Sequence, residues 1–450
     1  MEWHGFLFMA NSSNPKSLKA KPHGHFRVLH TADWHLGEML GERSREEEHR
    51  RFLAFLLQAI REQYVDLLVV AGDVFDSANP PQTAEAEYYN FLSALFRQGG
   101  CSVVIVAGNH DSPAHLEAPK QVLKAFGAHV VGAFPQSAAE ALMPVPDAKS
   151  PRLLVAAVPF LRDRDLRTGQ SGQSAADIQR ALVEGIKRRY AEVADAAKPW
   201  TDQGMALLAT GHLTFVGSKL SDSEREIHVG GLGAVGADCF PEVFGYVALG
   251  HLHRPQAAGG RETVRYSGSP IPLSFSEADD RKAVRILDFA EGKLVAQVDL
   301  EVPLSRPLAQ VCTKRESLES DLAKFQPPPS ELKPWVEVVV EDPVPGENLY
   351  DRVQELARGK GFDVIRVVGK RTGAPSGMTA PDAADIEDIG DLLAEPAKVF
   401  AHRMAVEPAL TDEERAGLAT VFQELLDLHA EQARQGEAPG AGQGKSGGEG

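Results

Sequence analysis

The chain has 450 residues, of which 43% are apolar, and its formal net charge is −16 at pH 7. This length and apolar content are sufficient for two or three domains with a sizeable core. The charge argues against nucleic-acid binding through a broadly basic surface, although most of the excess acidic residues lie after residue 377. A nucleic-acid function of the preceding part would therefore depend on metals, local basic clusters or a partner.

Membrane and secretory segments are not indicated. No stretch approaches the roughly 18 apolar residues of a membrane-spanning helix, and HGFLFMA near the start lacks the basic segment and cleavage signature of a secretory signal. Cys101, Cys239 and Cys312 are far apart and odd in number, which argues against a disulfide framework. We therefore expect buried thiols, no membrane association and a cytoplasmic location.

The first part of the chain predicts an α/β domain over residues 26–302, preceded by a disordered extension over residues 1–25. One helix face is predicted from the spacing of Phe52, Phe55, Leu56, Ala59, Ile60 and Tyr64. A second precedes a strand at 102–106 and consists of Tyr88, Phe91, Leu92, Leu95 and Phe96. This β-α-β order favours a mostly parallel start to the sheet. The later runs RETVRYSGSP, KAVRILDF and KLVAQVDLEV have short Gly-bearing connections, which favour antiparallel pairing and hence a mixed sheet or two packed sheets.

Smaller modules follow this domain. Residues 303–372 contain WVEVVV, a helical ENLYDRVQELA and FDVIRVV, which predict a small β-α-β domain. Residues 373–384 have the composition of a linker, and residues 385–431 predict two helices, the second with one apolar stripe. Residues 432–450 are Gly-rich and predict a disordered tail.

Five polar tags each follow an apolar, strand-like run: DWH after FRVLHTA, GDVFD after DLLVVA, GNHD after SVVIVA, GH after MALLAT, and GHLH after YVAL. An open α/β sheet collects ligands at the carboxyl ends of its strands, so residues remote in sequence can converge there. Side chains two residues apart in an extended segment point the same way, so a DxH or HxH pair can reach one cation. The candidate metal ligands are Asp33, His35, Asp73, Asn109, His212, His251 and His253.

A lone DxH or an isolated histidine is more often a structural feature, but five tags in order at strand ends predict a dinuclear centre. Mixed nitrogen and oxygen ligands without thiolate suit manganese, iron or zinc better than calcium. Two such cations can clamp a phosphate and activate water, which predicts phosphoester hydrolysis. His110 is the candidate acid that protonates the leaving group or steadies the phosphate, with Asp111 orienting its ring. Asp76 is expected to support the ligands without binding metal.

The segments RVLHTADWHLG, GDVFDSANPP, AGNHDSP, GHLT, GHLHRPQ and YSGSPIPLSFSE resemble the calcineurin-like metallophosphoesterases. Over about residues 26–430 the chain more narrowly resembles the SbcD family, the nuclease subunits of bacterial SbcCD complexes. The resemblance implies two packed mixed sheets flanked by helices, a small α+β capping domain and C-terminal partner-binding helices. It also implies two metal sites, usually filled by manganese, that share one carboxylate. The first site is formed by Asp33, His35, Asp73 and His253. The second is formed by Asp73, Asn109, His212 and His251.

The resemblance further implies a DNA nuclease that acts as an exonuclease on duplex ends and as an endonuclease on single strands and hairpins. Residues 303–372 would face DNA, and the helices of 385–431 would dock on an SbcC-like coiled-coil ATPase, with a homodimer inside a heterotetramer. Two other classes stay open. A stand-alone phosphodiesterase or phosphatase on small substrates requires neither module, and a degenerate scaffold protein is disfavoured by the complete ligand set with His110.

Overall fold

The computed structural model describes residues 21–166, 174–216, 234–343 and 348–370, together with six isolated positions, namely 218, 221, 223, 224, 418 and 422. The described residues up to Lys370 belong to one compact unit. Residues 1–20, the expected linker and tail, and the expected partner-binding helices apart from positions 418 and 422 lie outside the described residues.

The first sheet has six strands: β1 Phe26–Thr31, β4 Leu67–Ala71, β5 Ser102–Val106, β6 Ala128–Val131, β13 Ala283–Ala290 and β14 Lys293–Glu301. Their order is β14-β13-β1-β4-β5-β6. The β1, β4, β5 and β6 strands are parallel, whereas β13 and β14 are antiparallel to their neighbours. The expected mixed pairing is therefore present. A short ribbon joins β2 Met39–Leu40 to β3 Arg43–Ser44.

The second sheet also has six strands: β7 Leu142–Val145, β8 Leu153–Ala156, β9 Leu207–His212, β10 Tyr246–Gly250, β11 Gln256–Ala258 and β12 Arg261–Tyr266. Their order is β11-β12-β10-β9-β8-β7. The four central strands are parallel, and the two edge strands are antiparallel. Apolar side chains from both sheets form one buried layer that includes Val28, Val69, Leu208 and Ala248. The two sheets are therefore packed face to face.

Helices cover the outer faces of the two sheets. They are α1 Glu46–Glu62, α2 Gln82–Gln98, α3 Pro113–Glu117, α4 Lys120–Lys124, α5 Asp163–Leu166 and α6 Ala175–Thr201, and 3₁₀ turns span Ala138–Ala141, Ala237–Cys239 and Phe275–Glu277. The α1 and α2 helices share a core with the first sheet, and α6 shares one with the second. The predicted class, two packed mixed sheets flanked by helices, is confirmed.

The prediction that Tyr64 belongs to the buried face of α1 is wrong. Phe52, Leu56 and Ile60 are buried as expected, but Tyr64 lies beyond the helix end, has φ +53° and is 65% exposed. A left-handed residue commonly ends a helix and turns the chain. Here the turn lets the Val65 N–H bond to the Ile60 carbonyl at 3.0 Å and places Val65 in the core.

The disordered extension predicted over residues 1–25 does not include residues 21–25. Residues 21–25 pack against the first domain: Lys21 Nζ lies 2.7 Å from Asp66 Oδ1, and Arg152 Nη2 donates to the Gly24 carbonyl at 2.6 Å. These contacts fix residues 21–25 to the domain before β1 begins.

A three-stranded parallel sheet follows in the order β15-β16-β17, built from β15 Leu308–Lys314, α7 Leu318–Lys324, β16 Trp335–Glu341, α8 Leu349–Ala357 and β17 Asp363–Lys370. The sequence predicts the last three elements and misses β15 and α7. Trp335 packs against two guanidinium groups, with the Arg45 and Arg306 carbons 5.6 and 4.3 Å from its ring centroid. Glu48 accepts a hydrogen bond from each Nε at 2.8 Å, which links this sheet to α1.

Candidate metal centre

The predicted ligands lie at the carboxyl ends of strands from both large sheets. Asp33 and His35 follow β1, Asp73 follows β4, and Asn109 follows β5. In the second sheet, β9 ends at His212, and β10 is followed by His251 and His253. Because β1, β4 and β5 are parallel neighbours, and β9 and β10 are too, their ends meet at one edge.

The ligand side chains form two groups, and within each group the donor atoms lie within 4.8 Å of one another. The first group consists of Asp33, His35 and His253. The second consists of Asp73, His212 and His251. Asp73 Oδ2 stands between the groups, 3.6 Å from His35 Nε2 and 3.2 Å from His212 Nε2. Asn109 Oδ1 lies 2.8 Å from His212 Nε2. The structure thus brings all seven predicted ligands together.

Two of these ligand atoms, Asp33 Oδ2 and His35 Nε2, are buried without a hydrogen-bond partner among the described residues. An unsatisfied buried polar group costs about 1–3 kcal/mol, and more when it is charged. A bound cation removes that cost. The oxygen and nitrogen donors, with no sulfur among them, suit a divalent cation such as manganese, iron or zinc. The residues present therefore fit a dinuclear centre.

The backbone at the site is unusual. Asp33, His35, Asp73 and His251 have φ values of +54°, +48°, +48° and +96°, in a region that non-glycine residues rarely adopt. Hydrogen bonds donated by main-chain N–H groups connect the tags and hold this geometry. The Asp33 N–H donates to Gly72 O at 3.0 Å, and the His35 N–H donates to Asp73 O at 3.0 Å. The His251 N–H donates to Asp33 Oδ1 at 2.8 Å. These bonds fix the ligand loops to one another.

Two glycines allow the loops to approach closely. A Cβ on Gly108 would lie 2.1 Å from Asp73 Oδ1, and a Cβ on Gly72 would lie 2.3 Å from His212 Nδ1. Since real Cβ atoms do not tolerate such contacts, any side chain at these positions would displace a ligand. The glycines of the GD and GN tags are therefore part of the site.

Opposing charges set the ionisation of the ligands in the absence of cations. Burial disfavours the charged rings of His35 and His212, but the neighbouring carboxylates outweigh it. The pKa of His35 is raised to about 9 by Asp76, Asp73 and Asp33, and the pKa of His212 is raised to about 9 by Asp73 and Asp33. Burial raises the pKa of Asp33 to about 6. Protons thus balance the carboxylate charge, and a cation must displace them.

Hydrogen bonds to the second ring nitrogen orient two of the histidines. His212 Nδ1 lies 3.0 Å from the Ala71 carbonyl, and His110 Nδ1 lies 2.6 Å from the Asp76 carbonyl. A carbonyl can only accept, so Nδ1 carries the proton in both rings. Nε2 of His212 is then the atom that faces Asp73.

The predicted function of Asp111 requires correction. Its carboxylate accepts hydrogen bonds from the N–H groups of Val74 at 3.2 Å, Phe75 at 3.0 Å and Gly108 at 2.8 Å. It therefore ties the GDVFD loop to the GNHD loop, and the carbonyl of Asp76 takes the ring-orienting contact with His110. The Asp76 carboxylate lies 3.3 Å from His35 Nδ1, in a supporting position.

Sequence reasoning missed the side chains that surround His253, above all Ser223, Glu277 and Lys282. A signal for Glu277 was present, because it closes the YSGSPIPLSFSE segment. Nothing in its spacing relates it to a metal tag, so its position follows from the fold.

Comparisons with known proteins agree with this geometry. Residues 26–154 match the calcineurin-like phosphoesterase family, and residues 305–407 match the type 5 capsule protein repressor C-terminal domain. The chain is 36% identical over 382 residues to the SbcD protein of the nuclease SbcCD from Escherichia coli strain K12, which covers 85% of this chain and 93% of that protein. The chain belongs to the SbcD family of SbcCD nucleases.

Other relatives have the same name. The SbcD protein of Rhodobacter capsulatus is 41% identical over 298 residues, covering 63% of this chain and 70% of that protein. The SbcD protein of Bacillus subtilis is 37% identical over 286 residues, covering 63% and 71%. The resemblance seen in the sequence is confirmed, and the enzyme class is that of a metal-dependent phosphodiesterase with a dinuclear divalent centre. Among the described residues, no helix is long and apolar enough to cross a membrane.

Proposed function

We propose that this member of the SbcD family cleaves DNA phosphodiesters, as an exonuclease on duplex ends and as an endonuclease on single strands and hairpins, in DNA end processing, repair and recombination. The observation that supports this most is the convergence of two ligand groups, with Asp73 between them, at the shared edge of two sheets. A pair of cations held by these two groups would suit in-line displacement at phosphorus.

In this proposal, the site would hold two Mn²⁺ ions, and Asp73 would contribute to the binding of both. One is held with Asp33, His35 and His253. The other is held with Asn109, His212 and His251. Bound there, the pair supplies Lewis acidity toward the phosphate and lowers the pKa of the attacking water. The protein's contribution is the fixed placement of the donor atoms by the loops that join β1, β4 and β10 to the site.

His110 has a separate role in the proposal. Its side chain is 5% exposed. Its main-chain N–H donates to Asp73 Oδ1 at 2.9 Å, and its ring Nδ1 donates to the Asp76 carbonyl. With Nδ1 committed, Nε2 is the atom that can pass a proton to the leaving oxygen or steady the phosphate. Asp111 contributes indirectly, since it holds the two loops that carry Asp73 and His110.

The modules around the site fit a larger assembly. We propose that residues 303–372 face DNA and that residues 385–431 dock on an SbcC-like coiled-coil ATPase in the cytoplasm; the names of the relatives, each one component of an SbcCD nuclease, support a partner. A homodimer within a heterotetramer is supported by exposed apolar side chains on and near α2 and α4: Tyr89 is 38% exposed, Val122 64% and Phe126 58%.

The test uses the full chain with and without its ATPase partner and Mn²⁺, on end-labelled duplex and hairpin DNA. Wild type is expected to cut both substrates, and Asp73→Asn is expected to cut neither. Asp195→Asn is the matched control, because Asp195 is an exposed carboxylate of α6 that pairs with Lys198. Rapid hydrolysis of a small phosphodiester with intact DNA would favour the stand-alone phosphodiesterase instead. Parallel loading with zinc, iron or magnesium tests the choice of manganese.

A further inference from the structure

Side chains from two loops that bring no predicted metal ligand surround the ring of His253. Ser223 Oγ lies 2.6 Å from His253 Nδ1, and Glu277 Oε1 lies 3.5 Å from the same nitrogen. Ser223 and Glu277 are hydrogen bonded to each other. The ring therefore contacts a hydroxyl–carboxylate pair on its Nδ1 side, which leaves Nε2 as the atom for a metal.

The main chain of His253 is held by the same two loops and by Lys282. Its N–H donates to Glu224 Oε1 at 2.8 Å. Its carbonyl accepts from Lys282 Nζ at 3.0 Å and from the Ser269 N–H at 3.1 Å. Both ends of the residue and its ring are thus fixed by neighbours that are not candidate ligands.

The pattern of donors and acceptors sets the tautomer of His253. A carboxylate can only accept, so the hydrogen of the Ser223 hydroxyl lies toward Glu277. The Ser223 oxygen then faces His253 Nδ1 with a lone pair, and Nδ1 must carry the ring proton. Nε2 is left unprotonated, which is the form that a metal binds.

The burial of the Glu277 carboxylate at the centre of these contacts costs free energy of desolvation. Glu277 is 0% exposed and Lys282 is 3% exposed, with 2.5 Å between Nζ and Oε2. A buried ion pair often contributes little net stability, because desolvation offsets the attraction. Glu277 Oε2 also accepts from the Leu273 N–H and the Ser269 hydroxyl at 3.2 Å, so this oxygen holds the surrounding loop. The other oxygen, Oε1, faces the ring of His253.

We propose that Ser223 and Glu277 are positioning residues that keep the proton of His253 on Nδ1, so that Nε2 faces the cation held with Asp33 and His35. The proposal rests on the dinuclear centre proposed above. We call the contacts from Glu277 through Ser223 to His253 the relay. His212, in contrast, is oriented by a main-chain carbonyl.

Because His253 and His212 are oriented by different groups, loss of Ser223 should affect only one of the two cation sites. Loss of the Ser223 hydroxyl removes the nearer of the two groups that face His253 Nδ1 and leaves the contact of His212 with Ala71 in place. The cation bound with Asp33 and His35 should weaken, and the cation bound with His212 should not. Loss of a group that supports a metal ligand typically lowers affinity about 10–100-fold.

The experiment counts Mn²⁺ bound to the metal-free full chain by calorimetry and follows spin coupling between the two ions by electron paramagnetic resonance. Wild type is expected to bind two coupled ions. Ser223→Ala and Glu277→Gln are expected to bind one ion normally and the second about 10–100-fold more weakly, with an uncoupled spectrum at low Mn²⁺. Ser223→Thr retains the hydroxyl and should restore the second site. Ser274→Ala is the matched control, since Ser274 Oγ bonds to the same Glu277 oxygen at 3.3 Å.

The possible outcomes distinguish failure of the relay from failure of the proposed dinuclear centre. Two ions bound with wild-type affinity in Ser223→Ala, or equal weakening of both ions in Ser223→Ala and Ser223→Thr, would overturn the relay alone. A wild-type chain that binds fewer than two ions would overturn the proposed centre and the relay with it. Thermal unfolding of each variant identifies a folding defect, in which case Glu277→Gln decides the question.

Discussion

A fall in pH from 7 to 5 is expected to destabilise the fold through His30, a β1 residue that contacts β10 of the other sheet. Its ring is 0% exposed. Nε2 donates to the Leu249 carbonyl at 3.2 Å, so Nδ1 accepts from the Tyr246 hydroxyl at 3.2 Å. Burial, followed by the positive charge of Arg285, lowers the pKa of His30 to about 3. The ring therefore stays neutral in the folded protein when the unfolded chain would take up a proton.

The sign follows from the depressed pKa. Above pH 6.5 the ring is neutral in both states, and stability does not depend on it. Below pH 6.5 the unfolded state binds the proton first, so stability is lost as the pH falls toward 3. With pKa values of 6.5 unfolded and about 3 folded, the loss between pH 7 and pH 5 amounts to about 2 kcal/mol.

The assay compares urea unfolding of metal-free wild type and His30→Gln at pH 7, 6 and 5. The variant lacks the imidazole contacts and should be less stable at pH 7. Because glutamine does not titrate, the difference should shrink by about 2 kcal/mol at pH 5. The comparison is needed because Asp33, with its pKa raised to about 6, changes stability in the opposite direction over this range. A difference that stays constant between pH 7 and pH 5 would refute the reasoning.

Three other perturbations have definite expected results. His110→Gln should lower phosphodiester hydrolysis about 10²–10⁴-fold with Mn²⁺ binding intact, since it removes proton transfer and no ligand; weakened Mn²⁺ binding in calorimetry would contradict this. Because the pKa values of His35 and His212 are about 9, Mn²⁺ affinity should rise from pH 7 to pH 9 as their protons are lost. Calorimetry in buffers of different ionisation enthalpy should then show proton release at pH 7, and its absence would count against those pKa values. Arg27→Ala breaks a buried pair with Asp288, in which Nε–Oδ1 and Nη2–Oδ2 are 2.7 and 2.8 Å, and should cost about 3–5 kcal/mol in urea unfolding. A loss below about 1 kcal/mol would show that the pair is not as desolvated as its burial indicates.

The strands could be predicted because an apolar run that ends in a polar tag is a local signal. The strand expected at 102–106 is β5, with the same bounds. Tyr64 was misplaced because helical periodicity does not show where a helix ends: α1 ends at Glu62, and Tyr64 itself has the left-handed conformation that turns the chain. β15 was missed because four of its seven residues are polar or exposed, and its pairing with β16 is what makes it a strand.

Residue type and spacing were enough to select the seven ligand candidates, but not the contacts between loops. Asp111 follows His110 in sequence, which suggested that it orients the neighbouring ring. In the fold its carboxylate points to the N–H groups of Val74 and Gly108, because both loops turn toward it at the edge of the sheet. Glu277 reaches His253 from another loop. Such contacts depend on the docking of distant segments, which local patterns do not encode.

The loops hold the ligands in place through hydrogen bonds donated by main-chain N–H groups, and these bonds need no cation. Each left-handed non-glycine residue costs about 1–3 kcal/mol, and the bonds from Asp33 to Gly72, from His35 to Asp73 and from His251 to Asp33 keep three such residues in that state. The cost is met by the folding of two large sheets, so cation binding does not have to reorganise the backbone. The tags therefore need more than ligand residues. They also need the glycines that let the loops approach, and the strand pairing that brings those loops to one edge.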